Sequence, residues 1–269
     1  MLRDITIGQH FPGNSVVHRM DPRMKLLVTV LYIVVLFAAS NPLGLALSIG
    51  LLALLYVAAK IPLKLITKSL KPIMPVVLFT AILNLFFITG QGQPLFHWWF
   101  LKIYEEGVRY AVLMAVRVLA LIAGTSLLTY TTSPIVLTDA IERVLNPLAK
   151  LHLPVHELAM MMTIALRFIP TLLEETDRIM KAQSSRGADF VNGNLWQRAK
   201  NMVPLLVPLF ISAFRRADDL ATAMEARCYR GGEGRTKMHQ LAYTWRDRNA
   251  FLAVVLVTAL LLGLYIYFK

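Results

Sequence analysis

Two short stretches carry the residues with most chemical potential: "KAQSSRGADF", Lys181 to Phe190, and "AMEARCYRGG", Ala223 to Gly232. Each holds an arginine between small neighbours, Arg186 between Ser185 and Gly187, and Arg227 between Ala226 and Cys228, with Arg230 close behind. An Asp stands nine residues before each arginine (Asp177, Asp218) and an Ala four before it (Ala182, Ala223). A guanidinium is a planar fork of donors that matches a carboxylate or a set of carbonyls on a partner. Small neighbours leave that fork room to enter a groove. A cation in the last turn of a helix is also favoured by the helix dipole, by about 0.3 to 1 kcal/mol. That effect is sufficient for one arginine, and two in matched register weigh against it as the whole account.

Both arginines close long segments with helical periodicity. From Val155 to Arg186, residues Leu158, Met161, Met162, Ala165, Phe168, Ile169, Leu172, Ile179 and Ala182 form an apolar stripe at intervals of three, four and seven, one face of an amphipathic helix. Pro154 suits its first turn, and Gly187 suits the left-handed position just past its end. Pro170 removes one helical hydrogen bond and is expected to kink it. Leu195 to Arg230 repeats the plan, with Pro204 and Pro208 in its first half and Gly231–Gly232 as the expected stop. A shorter helix, Ile135 to Leu151, precedes both. The whole segment from Ser133 to Arg248 has 16 Lys or Arg and 12 Asp or Glu, too many to lie in lipid.

The remainder of the chain is of another kind. The 269 residues are 57% hydrophobic and only 16% charged, against about 25% in soluble domains, so the chain reads as membrane-embedded. Leu26 to Ser40, Leu43 to Ala59, Pro72 to Gly90 and Asn249 to Phe268 contain no charge, and Tyr110 to Tyr130 contains only Arg117. A spanning helix needs about 17 to 25 apolar residues, so Leu26 to Ser40 must borrow neighbours. That first window is not read as a cleavable signal peptide, because about 25 largely polar residues precede it and no small-x-small site follows. Lys60, Lys64, Lys68 and Lys71 lie between the second and third windows with no acid among them. Basic connections stay cytoplasmic, which places the N-terminus inside, Gln91 to Glu106 outside and Ser133 to Arg248 in the cytoplasm. The net charge of +12 thereby records topology and contact with anionic lipid, and no nucleic-acid partner is expected. The expected architecture is an all-α integral membrane protein: four transmembrane helices in residues 1–132, a cytoplasmic domain of about three helices, two of them long and Arg-tipped, in 133–248 and one last transmembrane helix in 249–269.

Enzyme chemistry finds no support. His156–Glu157 begins like a zinc-protease HExxH, but the fifth position is Met160, and a His and Glu facing water at a helix start are expected. "GGEGRT", Gly231 to Thr236, lacks the Gly-Lys-Ser/Thr ending of a phosphate loop and reads as a cap and linker. One cysteine, Cys228, excludes an internal disulfide and a Cys-rich metal site. Arg109 lies near enough to the outer interface to snorkel, whereas the deeper Arg117 is expected to face another helix or a protein partner.

Ser185-Arg186-Gly187 and Ala226-Arg227-Cys228 resemble the paired X-Arg-X motifs, commonly Ala-Arg-Gly, that end two cytoplasmic coupling helices in the transmembrane T component of energy-coupling factor transporters. The opening "GQHFPGNSVVHRMDPRMK", Gly8 to Lys25, is similar to family members that serve several substrate-binding subunits. The resemblance covers essentially the whole chain, with Ser185 and Cys228 in place of the commonest Ala and Gly. It implies that each arginine tip docks into one of two cytoplasmic ATPases. It also implies that a small membrane protein, which captures a vitamin or other micronutrient, is held on apolar surface that includes Met161, Phe168 and Leu172. ATP would be bound by the ATPases and no cofactor by this chain, in a bacterial plasma membrane. Two other readings stand beside this one: the permease of a conventional ABC importer, which usually offers one short coupling helix, and a membrane-anchored scaffold without a transport role.

Overall fold

The computed structural model describes residues 10–39, 41–88, 96–98, 101–151, 154–190, 194–231 and 243–267. In chain order the elements are α1 (Val16–Arg19), α2 (Pro22–Ala38), α3 (Pro42–Ala59), α4 (Leu63–Leu70), α5 (Met74–Phe87), β1 (Phe96–Trp98), β2 (Leu101–Ile103), α6 (Glu105–Thr131), α7 (Pro134–Leu145), α8 (Val155–Ser185), α9 (Leu195–Ala226) and α10 (Trp245–Tyr267). They fall into two compact units, Gly8–Ala140 with Gln240–Lys269, and Ile141–His239.

In the first unit α6 is the central helix, packed against α2, α3, α4 and α5, while α10 packs on α2 and α3. Asp21 caps α2 through its side chain and Pro22 occupies the first helical position, where a missing N–H costs nothing. Glu105 and Glu106 put negative charge in the first turn of α6, complementing its dipole. The core gathers Tyr32, Leu36, Leu45, Leu52, Tyr56, Ala123, Leu127 and Tyr130. Each buried tyrosine finds an acceptor: Tyr56 donates to Ala123 O at 2.7 Å, Tyr32 to Ala120 O at 3.5 Å and Tyr130 to Leu65 O at 3.1 Å. Tyr130 also meets the Ser69 hydroxyl. Without water to satisfy them, unpaired hydroxyls at this depth would each cost several kcal/mol. Gly124 lets the Tyr32 ring lie against the α6 backbone, since a Cβ there would stand 2.5 Å from Tyr32 Cε1.

Four helical stretches are long and apolar enough to cross a membrane among the described residues: Pro42–Ala59, Leu63–Phe87, Glu105–Thr131 and Val155–Ser185. The first three coincide with expected windows. The fourth is α8, which the charge count had set apart from the bilayer; its charges cluster in the second half and leave the first half apolar. Helix α2 has 17 residues, about 26 Å, shorter than a hydrocarbon core of about 30 Å. Helix α10 has 23.

Three local expectations need correction. The lysine connection is itself helical: Lys64 and Lys68 stand one turn apart on α4, which runs through a 3-10 turn at Lys71–Ile73 into α5. The helix expected at Ile135–Leu151 stops at Leu145, because Pro147 bars an α conformation in the residue before it and the chain tightens to 3-10 over Asn146–Leu151. A three-residue hairpin, β1 with β2 antiparallel, interrupts the otherwise helical fold and pairs His97 with Lys102. Part of the expected outer loop, 91–95, lies outside the described residues, as do Gly232–Thr236 of the glycine-rich run.

Candidate functional site

The two arginine-tipped helices pair with each other, and their contacts fix the direction. Glu175 accepts from Arg216 Nη2 at 2.9 Å, and Gln183 Nε2 donates to Pro204 O at 3.4 Å. Met160 and Ile164 of α8 face Leu220 and Met224 of α9. Partners advance along one helix as they recede along the other, so α8 and α9 are antiparallel. Arg227 therefore lies beside the start of α8 and Arg186 at its far end. The 26 residues from Met160 to Arg186 put the tips up to about 40 Å apart, at 1.5 Å per helical residue.

Both helices end in the same cap. At the first tip, Gly187 N donates to Ser184 O at 3.0 Å and Ala188 N to Gln183 O at 3.0 Å. At the second, Cys228 N donates to Glu225 O at 2.8 Å and Tyr229 N to Met224 O at 3.0 Å. These are the two bonds of a Schellman motif, in which the residue after the cap is left-handed. Gly187 has φ +90° and Cys228 has φ +56°. The arginine occupies the cap position in both, at the same place in the bond pattern. The expectation that Gly231–Gly232 stops the second helix is thereby corrected: α9 ends at Ala226, and Cys228 takes the left-handed position that glycine holds in the first copy. A side chain in that conformation costs about 1 to 2 kcal/mol.

Ser185, Arg186, Gly187, Ala226, Arg227, Cys228 and Arg230 are all exposed. Among the described residues neither the Arg186 nor the Arg227 guanidinium meets a hydrogen-bonding or charged partner. The tips differ in their surroundings. Arg227, Cys228, Tyr229 and Arg230 border a recess of about 450 Å³ floored by Met160, Ile164, Leu220 and Met224. Cα of Gly187 faces open space.

The apolar faces of the pair are largely uncovered. Met161 is exposed, whereas Phe168 and Leu172 are half-buried. The larger uncovered stripe belongs to α9, where Met202, Val203, Leu206, Val207, Phe210, Ile211 and Phe214 all remain exposed. The sequence reading named residues only on α8. The α9 stripe repeats at intervals of four, so the same periodicity test would have found it.

The other singled-out residues have structural partners. His156 does not simply face water: it is half-buried and its Nδ1 lies 3.0 Å from Glu142 Oε1 on α7. Arg117 Nη2 donates to Ala39 O at 2.6 Å, closing the C-terminal end of α2, which is the helix contact expected of it. Arg109 is exposed near the start of α6.

Comparison with known proteins matches residues 13–238 to the CbiQ family, described as cobalt transport protein. The chain is 55% identical over 261 residues to the energy-coupling factor transporter transmembrane protein of Acidaminococcus fermentans, covering 97% of each chain. It is 57% identical over 258 residues to the protein of that name in Clostridium kluyveri, covering 96% of each. To the protein of that name in Bacillus subtilis it is 49% identical over 265 residues, covering 97% of this chain and 98% of that one. The chain belongs to the CbiQ family and, with these relatives, to the transmembrane components of energy-coupling factor transporters.

Proposed function

We propose that Arg186 and Arg227 are the points at which two cytoplasmic ATPases grip this subunit, one tip to each. Family membership makes the chain a non-catalytic, membrane-embedded subunit of a multisubunit transporter. The observation that carries the finer reading is the pair of matching caps at opposite ends of an antiparallel hairpin, each presenting an exposed arginine that meets no partner among the described residues. A spacing of up to about 40 Å suits two separate protein grooves better than one. ATP is bound by the ATPases; this subunit holds no nucleotide and turns their closure into movement of α8 and α9.

The uncovered apolar faces of α8 and α9 hold a small membrane protein that captures the substrate. Several such proteins exchange on one coupling subunit, in keeping with the N-terminal stretch Gly8 to Lys25. The cargo is a vitamin or related micronutrient, with specificity residing in that other polypeptide. The N-terminus and the residues 133–248 face the cytoplasm of a bacterial cell, and α2, α3, the α4–α5 run, α6 and α10 cross its plasma membrane.

The test is retention of the ATPases on purification, with uptake measured alongside. Removing one partner of a buried, charge-assisted pair costs about 2 to 5 kcal/mol of association. Arg186→Ala and Arg227→Ala should each weaken the complex, and the double variant should lose both ATPases. Arg→Lys should rescue poorly, because an ammonium cannot reproduce the fork. A double Arg→Ala variant with both ATPases bound and full uptake would refute the reading.

A further inference from the structure

One polar cluster in the membrane unit reaches well beyond the helix cap already described for Asp21. Asp21, Lys25 and Asp247 are all buried, at 6%, 6% and 2% exposure. Lys25 Nζ donates to His18 O at 3.0 Å, to Thr131 O at 2.9 Å and to Thr132 Oγ1 at 3.4 Å. Asp247 Oδ1 accepts from Asp21 N at 2.8 Å, and its Oδ2 accepts from Thr244 N at 2.8 Å. Arg23 closes a fork on Asp21, Nη2 to Oδ2 at 2.6 Å, and its guanidinium carbon lies 3.9 Å from the centre of the Tyr243 ring. Two acids and two bases balance, so the cluster is neutral.

The placement of these partners is informative. Thr131 and Thr132 end α6, where the chain departs for the coupling segment. Tyr243, Thr244 and Asp247 begin α10, where it returns. Residues 18–25 grip both places at once: Lys25 holds the end of α6, while Asp21 and Arg23 hold the start of α10. An ordinary core would fill this volume with apolar side chains at less desolvation cost, since taking ions out of water is expensive even when they are paired. What the polar arrangement adds is direction, because each bond here names one partner atom.

We propose that Lys25, Asp21 and Asp247 form a clamp that makes the ends of α2, α6 and α10 move as one body, so that displacement arriving from the coupling segment is delivered to the membrane helices undivided. They are positioning residues, and the proposal rests on the reading of the chain as an ATP-driven coupling subunit. Loosening the clamp leaves ATP hydrolysis running while its motion dissipates at the joint.

The experiment uses the complete complex, with both ATPases and a substrate-binding subunit, in proteoliposomes, and reads substrate taken up per ATP hydrolysed. Lys25→Met keeps the side-chain length and removes all three bonds. Thr132→Val and Tyr243→Ala remove one partner each, and Tyr243 is 63% exposed, so its loss leaves no cavity in the core. The expected result is full assembly with near-normal hydrolysis and an uptake-to-hydrolysis ratio lowered roughly three- to tenfold by Lys25→Met, and by a smaller factor in the two milder variants. If uptake and hydrolysis fall in proportion, the cluster only supports the fold and the proposal fails. It fails equally if Thr132→Val and Tyr243→Ala keep the parent ratio, even where Lys25→Met does not assemble. Absence of ATPases from the parent complex would instead overturn the coupling reading itself.

Discussion

The left-handed residue at each tip offers the most direct control over how its arginine is presented. Gly187 adopts φ +90° without cost, whereas Cys228 adopts φ +56° against the clash between its Cβ and the following carbonyl. Exchanging the two residue types should therefore act in opposite directions at the two ends. Gly187→Ala adds a penalty of about 1 to 2 kcal/mol to the capped state, and Cys228→Gly relieves about 1 kcal/mol, less the entropy that glycine adds to the open state. One kcal/mol is about a fivefold change in the fraction of open caps, since it is compared with RT of about 0.59 kcal/mol. The reporters are the amides whose bonds define the cap, Ala188 to Gln183 O and Tyr229 to Met224 O. Hydrogen exchange should speed up at Ala188 by about five- to thirtyfold in Gly187→Ala and slow at Tyr229 by a few fold in Cys228→Gly. ATPase retention should follow the same order. Unchanged exchange at both amides would show that the turn does not depend on the left-handed residue and would refute the reasoning.

Other outcomes follow from single contacts. Gly124→Ala should lower the melting temperature of the detergent-solubilised subunit by a loss of about 1 to 3 kcal/mol, because Tyr32 is 3% exposed and cannot retreat from the new methyl; an unchanged melting temperature would show that α2 and α6 separate freely. Met161→Glu and Phe210→Glu should release the substrate-binding subunit while both ATPases stay bound, and co-purification distinguishes this from general collapse of the complex.

How much of this was legible in the sequence depended on whether the signal was local. The matched arginines, the helical stripe of α8 and the left-handed Gly187 each follow from a few neighbouring residues, and the structure agrees with them. The end of α9 was misplaced because Gly231–Gly232 is the stronger stop on composition, whereas the bond pattern that closes the helix uses Cys228, a residue that announces nothing. The helix in the lysine connection went unrecognised because its charges hid the spacing of Leu65, Ile66 and Ser69, of which the first two pack on the core and the third meets the Tyr130 hydroxyl. The clamp around Lys25 was out of reach altogether. Its partners stand 106 and 226 positions apart in the chain, and no periodicity connects them.

The antiparallel pair α8–α9 is poorly supplied with a core of its own. Val155, Ala159 and Leu205 are its buried apolar residues among those described, the first two in the opening turns of α8 and the third about a third of the way along α9. The ion pair between Glu175 and Arg216 is partly exposed and contributes at most about 1 kcal/mol. Seven large apolar side chains on α9 meanwhile face outward within 13 residues, more than an isolated soluble surface tolerates. A helix pair built this way draws its stability from whatever covers it, so binding of the other subunits should stabilise it in proportion to their affinity and concentration. Hydrogen exchange over Met202–Phe214 should be fast in the isolated subunit and strongly slowed in the full complex, whereas exchange across the α2–α6 core should differ little between the two. Equal protection of Met202–Phe214 in both states would mean that the stripe faces only lipid, and that the substrate-binding subunit is held elsewhere.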